Sequence, residues 1–80
     1  MVETSQILET IKVALGLKYT PTLDDTVDTI EEWDSLGHLS MLVALDKKLN
    51  GQAAKLEDLG SCEKIIDLIA ILKNNGLVNS

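Results

Sequence analysis

Eighty residues with 45% hydrophobic side chains form one small domain with enough apolar surface to fold, which excludes a disordered chain. A single Cys and a single His permit neither an internal disulfide nor a Cys/His metal cage, and the lone Cys suits a reducing, cytoplasmic setting. A formal charge of -6 without any Arg disfavours nucleic acid and anionic lipid as partners. The longest apolar runs, Met41 to Leu45 and Leu68 to Leu72, fall far short of the roughly 20 residues of a membrane span, so neither membrane insertion nor secretion is expected.

In chain order, Ile7, Leu8, Ile11, Ala14 and Leu15 recur at helical spacing. Thr4 or Ser5 can cap the start and Gly16 the end, which predicts a first helix of about three turns. From Leu17 to Asp34 the periodicity lapses, and Pro21 with its Thr and Asp neighbours predicts a long ordered loop pinned by Leu23, Val27 and Ile30. So long a loop in so small a domain is usually functional. It also holds the entire net charge: Asp24, Asp25, Asp28, Glu31, Glu32 and Asp34 occur without a Lys, and the remaining acids and Lys residues balance. A solvated acidic connection is one reading of this stretch, and an attraction for a basic protein surface is the other.

A second helix is expected from about Ser35 to Leu49, with Leu39, Leu42, Leu45 and Leu49 for the core and Asn50-Gly51 as its stop. A short helical segment follows from Ala54 to Leu59. Gly60 breaks the chain, Ser61 can cap, and Ile65, Ile66, Ile69 and Leu72 make the stripe of a last helix closed by Asn74-Asn75-Gly76. The expected fold class is all-α, a small bundle of three main helices plus one short helix, with residues 1–80 as a single domain.

The chemistry concentrates in Trp33-Asp34-Ser35-Leu36-Gly37-His38-Leu39. Here a Ser falls at the first turn of an amphipathic helix directly after the acidic loop. Whichever of Asp34 and Ser35 caps, the unpaired N–H groups and the positive end of the helix dipole lie beside the Ser35 hydroxyl, where an esterified phosphate would be favoured. The alternative is that Ser35 belongs only to a helix cap.

This stretch, on the second helix of an acidic 80-residue bundle, resembles an acyl carrier protein, and the likeness runs along nearly the whole chain. The resemblance implies that Ser35 carries a covalent 4'-phosphopantetheine cofactor, transferred from coenzyme A by a phosphopantetheinyl transferase, and that acyl or aminoacyl groups travel as thioesters on its thiol. It implies a recognition role for Asp34 towards the transferase and for Leu36 as the exposed apolar residue that partner enzymes touch. It also places Val43 at the border of an acyl pocket. Glu31 and Glu32, on the loop flank of Ser35, are read as further recognition residues. The chain would then be a monomeric substrate of loading, condensing or acyltransferase enzymes and not itself an enzyme, since the cofactor carries the chemistry.

Two departures from the family pattern point to a specialised carrier. The second helix presents Gly37, Ser40, Lys47 and Lys48 where acids usually line its exposed face, leaving only Asp46 there. The stretch from Leu49 to Leu59 is about two residues short and lacks an Ile-Pro pair, which alters the mouth of any acyl pocket. The alternative function is a carrier-like helical interaction module that is never modified.

Other chemistries have less support. Ser35 and His38 share a helix face, but Trp33 stands where a nucleophile elbow needs Gly, and no third group orients the His. His38 is expected at the surface, packing on Trp33 as a helix-start staple would, and Trp33 as a packed anchor for the loop. Asp24, Asp25 and Asp28 lack the spacing of a calcium loop, so no metal site is expected. Cys62 is read as opening the last helix as a small buried residue.

Overall fold

The computed structural model describes residues 2–79. A two-residue strand β1 (Val2–Glu3) leads into α1 (Thr4–Leu15), and the long loop leads to α2 (Ser35–Lys48). Two 3-10 turns (Ala53–Lys55 and Glu57–Ser61) precede α3 (Ile65–Asn74), and the chain closes on β2 (Val78–Asn79). The three helices agree with the expected bundle. The short strands do not belong to an all-α description: β1 and β2 pair in parallel, Val2 with Val78 and Glu3 with Asn79, fastening the two ends of the described chain together.

The start of α1 is capped by neither Thr4 nor Ser5. Glu3 is the N-cap: its side chain accepts from the Gln6 N–H while Gln6 Oε1 accepts from the Glu3 N–H at 2.8 Å, a reciprocal capping box. Ile7, Ile11 and Leu15 are the buried face, each worth about 1.5–3 kcal/mol of transfer free energy. The helix ends at Gly16, whose φ of 69° is the left-handed conformation that residues with a Cβ avoid. Leu17 N–H then reaches back to the Lys12 carbonyl at 2.9 Å and Gly16 N–H to Val13 at 3.2 Å, so the last carbonyls are satisfied.

The loop is held by its own side chains and by the segment ahead of α3. The Asp25 carboxylate accepts from the Thr22 N–H at 2.8 Å and from the Thr29 hydroxyl at 2.9 Å, and Thr29 Oγ1 accepts from the Thr26 N–H at 2.8 Å. Val27 N–H donates to the Glu63 carbonyl at 2.9 Å and Ile65 N–H to the Asp25 carbonyl at 3.1 Å, flanking an isolated antiparallel bridge between Thr26 and Lys64. Pro21, Ile30 and Trp33 are buried here, whereas Leu23, expected as a pin, is exposed.

On α2 the core face is Met41 and Leu45, continued by Leu49, with Leu42 half-buried; Leu39 points out to solvent, against expectation. Residues spaced by four lie on one helical stripe, so choosing Met41 for the core turns Leu39 away. Ile66 of α3 is exposed for the same reason, its neighbours Ile65, Leu68, Ile69 and Leu72 being the buried stripe. The short third helix is two 3-10 turns that divide at Leu56, anchored by the buried Ala53 and Leu59. Asp46 Oδ1 accepts from the Ala54 N–H at 2.8 Å and so ties the first turn to α2.

Candidate functional site

Asp34 leaves the loop in an extended conformation, φ −98° and ψ −167°. Its carboxylate accepts from the Gly37 N–H at 2.8 Å, and its carbonyl accepts from the His38 N–H at 2.8 Å. Asp34 is therefore the N-cap and Ser35 the first helical residue, which resolves the two possibilities left by the sequence. Ser35 is exposed, and among the described hydrogen bonds none involves its hydroxyl or the backbone N–H of Ser35 or Leu36. These are the orphan donors of a helix start, at the positive end of the α2 dipole.

Gly37 is required by a close approach. A Cβ at this position would overlap the Glu32 carbonyl oxygen and come within 3.0 Å of Leu15 Cδ2. The loop backbone thus rests directly on the first turn of α2, with Glu31 and Glu32 exposed at its edge.

Trp33 is 3% exposed, and its indole Nε1–H donates to His38 Nδ1 at 2.8 Å. The two rings lie within 19° of parallel with centroids 6.0 Å apart. Because indole N–H can only donate, Nδ1 must accept, which leaves Nε2 carrying the proton and donating to the Leu59 carbonyl 2.9 Å away. His38 is half-buried, not a surface residue: it bridges the loop, α2 and the second 3-10 turn. The spacing of Trp33 and His38 about the cap is that of a staple and signalled their contact. Nothing in the sequence signalled the Leu59 carbonyl.

Two depressions flank this bridge. One, of about 610 Å³, lies beside Ser35 and is lined also by Asp34, Trp33, His38 and Cys62. The other, of about 410 Å³, is a mainly apolar groove between α2 and the 3-10 turns, formed by Leu42, Val43, Ala53, Ala54, Leu56 and Leu59 with Asp46, Lys47 and Glu57 also in its lining. On α2 Ser35, Leu39, Leu42 and Asp46 follow one another at spacings of four, three and four, so a single helical stripe leads from the first depression towards the second. Leu36 stands outside both, on the open face of the helix.

Five of the six loop acids, Asp24, Asp28, Glu31, Glu32 and Asp34, are exposed; Asp25 is spent on the turn. Lys47 and Lys48 are exposed in the last turn of α2. Cys62 lies before α3, not on it, in an extended segment with Lys64 as the helix N-cap. Burial first, then the Asp67 and Asp58 carboxylates, push its thiol pKa up from the usual value, the opposite of what a helix start would do.

Among the described residues no group of three or more His, Cys, Asp and Glu side chains is placed to hold a metal ion, and no helix is long and apolar enough to cross a membrane. Compared with protein-family models, curated proteins and solved structures, the chain matches none.

Proposed function

We propose that this chain is a carrier of acyl or aminoacyl groups, modified on the Ser35 hydroxyl by a 4'-phosphopantetheine arm and presented to the enzymes of a biosynthetic pathway. The observation that carries the reading is the Ser35 hydroxyl, exposed and without a hydrogen bond among the described residues, at the first residue of α2 and one position after an acidic cap. The residues present fit the group: the unpartnered N–H groups of Ser35 and Leu36 and the dipole of a 14-residue helix favour a phosphodiester at this oxygen. Once attached, the arm supplies a thiol on a flexible tether, on which cargo is held as a thioester.

The remaining roles belong to recognition. Asp34 fixes the backbone that presents Ser35 and sets a carboxylate next to it for a phosphopantetheinyl transferase to read. Leu36, 77% exposed, offers an apolar contact to loading, condensing or acyltransferase enzymes, and Glu31 and Glu32 supply the charge on the loop flank. Val43 sits on the rim of the apolar groove, where it would touch cargo. The protein acts as a cytoplasmic, monomeric substrate and performs no catalysis itself.

Intact mass after incubation with coenzyme A, Mg²⁺ and a broad-specificity transferase is the test. The chain should gain the mass of one phosphopantetheine and Ser35→Ala none. Failure to gain mass under conditions that modify a control carrier would leave the other reading, an unmodified interaction module.

A further inference from the structure

The chain has one Trp and one His, and the two bond to each other. Both nitrogens of the His38 ring are engaged: Nδ1 accepts from the Trp33 indole N–H at 2.8 Å, and Nε2–H donates to the Leu59 carbonyl at 2.9 Å. The arrangement has no place for a second proton, because a proton on Nδ1 would point at an indole N–H that can only donate. The two rings differ in freedom. Trp33 belongs to the core, whereas His38 is half-buried and lines the depression beside Ser35. The titratable groups on the elements around the ring are Glu31, Glu32 and Asp34 on the loop, Glu57 and Asp58 on the second 3-10 turn, and Cys62, Glu63 and Lys64 after it; the first two turns of α2 supply none besides His38 itself. Asp34 and Glu63 share the depression with the ring, so a charged imidazole finds carboxylates on its open side. Cys62 shares it too, and burial first, then Asp67 and Asp58, hold it as a neutral thiol.

We propose that His38 is a proton-operated latch: neutral, it clamps the second 3-10 turn to the loop and to the start of α2; protonated, it turns out toward Asp34 and Glu63 and lets go of Leu59. The buried indole stays where the core holds it, so the imidazole is the ring that moves. The closed form binds one proton fewer than the open one. By linkage it is favoured as pH rises and loses ground as pH falls through the range in which an imidazole titrates, about pH 8 to 5. Leu59 makes the release consequential. Its carbonyl takes the latch bond and also accepts from the Cys62 N–H at 3.4 Å, its side chain lines the groove beside α2, and Gly60 after it lines both the groove and the depression beside Ser35. Opening therefore loosens the wall common to the two depressions, while the buried residues of α1 and α3 keep their packing. The latch does not depend on the carrier reading, and failure of Ser35 to be modified would leave it standing.

The test is hydrogen exchange of the full unmodified chain at about pH 8 and about pH 5, read by NMR as protection factors so that the intrinsic pH dependence of exchange is removed. With one His and one Trp in the chain, both ring signals are unambiguous. At the lower pH the His38 ring should carry its second proton. Protection of the Trp33 indole N–H and of the Leu59 and Cys62 amides should fall about two- to tenfold, the equivalent of one net hydrogen bond, with Ile11 and Leu72 unchanged. In His38→Gln, which keeps every carboxylate, the fall should vanish. In Trp33→Phe, where Nδ1 can be protonated without meeting an indole N–H, the Leu59 and Cys62 amides should stay equally protected at both pH values. Equal protection of the wild-type chain at the two pH values would overturn the latch. So would an undiminished fall in His38→Gln, which would assign the effect to the carboxylates, or in Trp33→Phe, which would leave the indole no part in it. If His38→Gln does not fold, the wild type and Trp33→Phe decide between them.

Discussion

The Trp33 indole hydrogen bonds to His38 Nδ1 while the opposite ring nitrogen of His38 holds the Leu59 carbonyl, so one imidazole joins three segments that meet at the start of α2. This bridge is expected to carry stability out of proportion to its size. His38→Ala leaves a buried indole N–H and a carbonyl without partners, at about 1–3 kcal/mol. Trp33→Phe removes the donor and leaves Nδ1 unpaired. Urea melts of the two single variants and the double variant should give a coupling of about 0.5–1.5 kcal/mol, the net worth of one hydrogen bond; strict additivity would mean that the two side chains act independently.

Capping and modification should separate cleanly between neighbouring residues. The cap bond is made by Asp34, so Asp34→Ala should cost about 0.5–2 kcal/mol, whereas Ser35→Ala should be nearly neutral. Thermal melts of both variants check this, and a large loss in Ser35→Ala would show that its hydroxyl makes a structural bond.

Gly37→Ala should be the most damaging single-methyl change at this site. The added Cβ meets a backbone carbonyl that cannot swing aside as a side chain could, and Leu15 closes the other direction. A loss of about 1–3 kcal/mol is expected. Retention of full stability would mean that the loop can slide off α2, and transferase loading of the variant should fall with it.

Phosphopantetheinylation of Ser35 should change the melting temperature by only about a few degrees. The favourable meeting of phosphate and helix start, about 0.3–1 kcal/mol, is opposed by Asp34, Glu31 and Glu32 at similar magnitude. Calorimetry of modified and unmodified chain is the measurement, and loss of helicity on modification would contradict the arrangement.

Cys62 should alkylate slowly at neutral pH, because burial and two carboxylates favour the thiol over the thiolate. The sign for stability follows. A folded-state pKa above the unfolded one gives stability that is complete below the unfolded value and is lost as pH rises through the folded one. Iodoacetamide rates across alkaline pH should therefore be displaced upward in the native chain relative to the same chain in denaturant. Asp67→Asn should move the native profile back toward the ordinary value, and coincident profiles would remove the proposed cause.

Helix positions were legible in the sequence because they follow from the spacing of Ile7, Ile11, Leu45 and Leu72. Details set by distant partners were not. The last helix begins at Ile65 rather than near Ser61 because residues 62–64 are drawn into extended contact with Val27 and Thr26. A two-residue parallel strand pair joining Val2 and Val78 has no periodicity to detect. Glu3 displaced Thr4 and Ser5 as the cap of α1 because Gln6 stands three residues on and closes the box from the other side. At the site, the motif gave the place of Ser35, but the alternation of Leu residues on α2 could not tell which stripe faces inward until Met41 was seen to take the core.

The stretch between α1 and α2 is long, yet it is fastened at Asp25, Val27, Ile30 and Trp33, and its Glu32 carbonyl lies against Gly37. The conformational entropy of that chain is given up when the protein folds. On the carrier reading, an enzyme meeting Glu31 and Glu32 would find their backbone already held relative to Ser35 and would have less loop ordering to meet in forming the complex. Loosening a distant tether, as Thr29→Ala would by removing its hydroxyl from Asp25, transfers that cost to the moment of binding. On the carrier reading, affinity for partners would then fall through a change in the loop's own bonding and not through a lost charge.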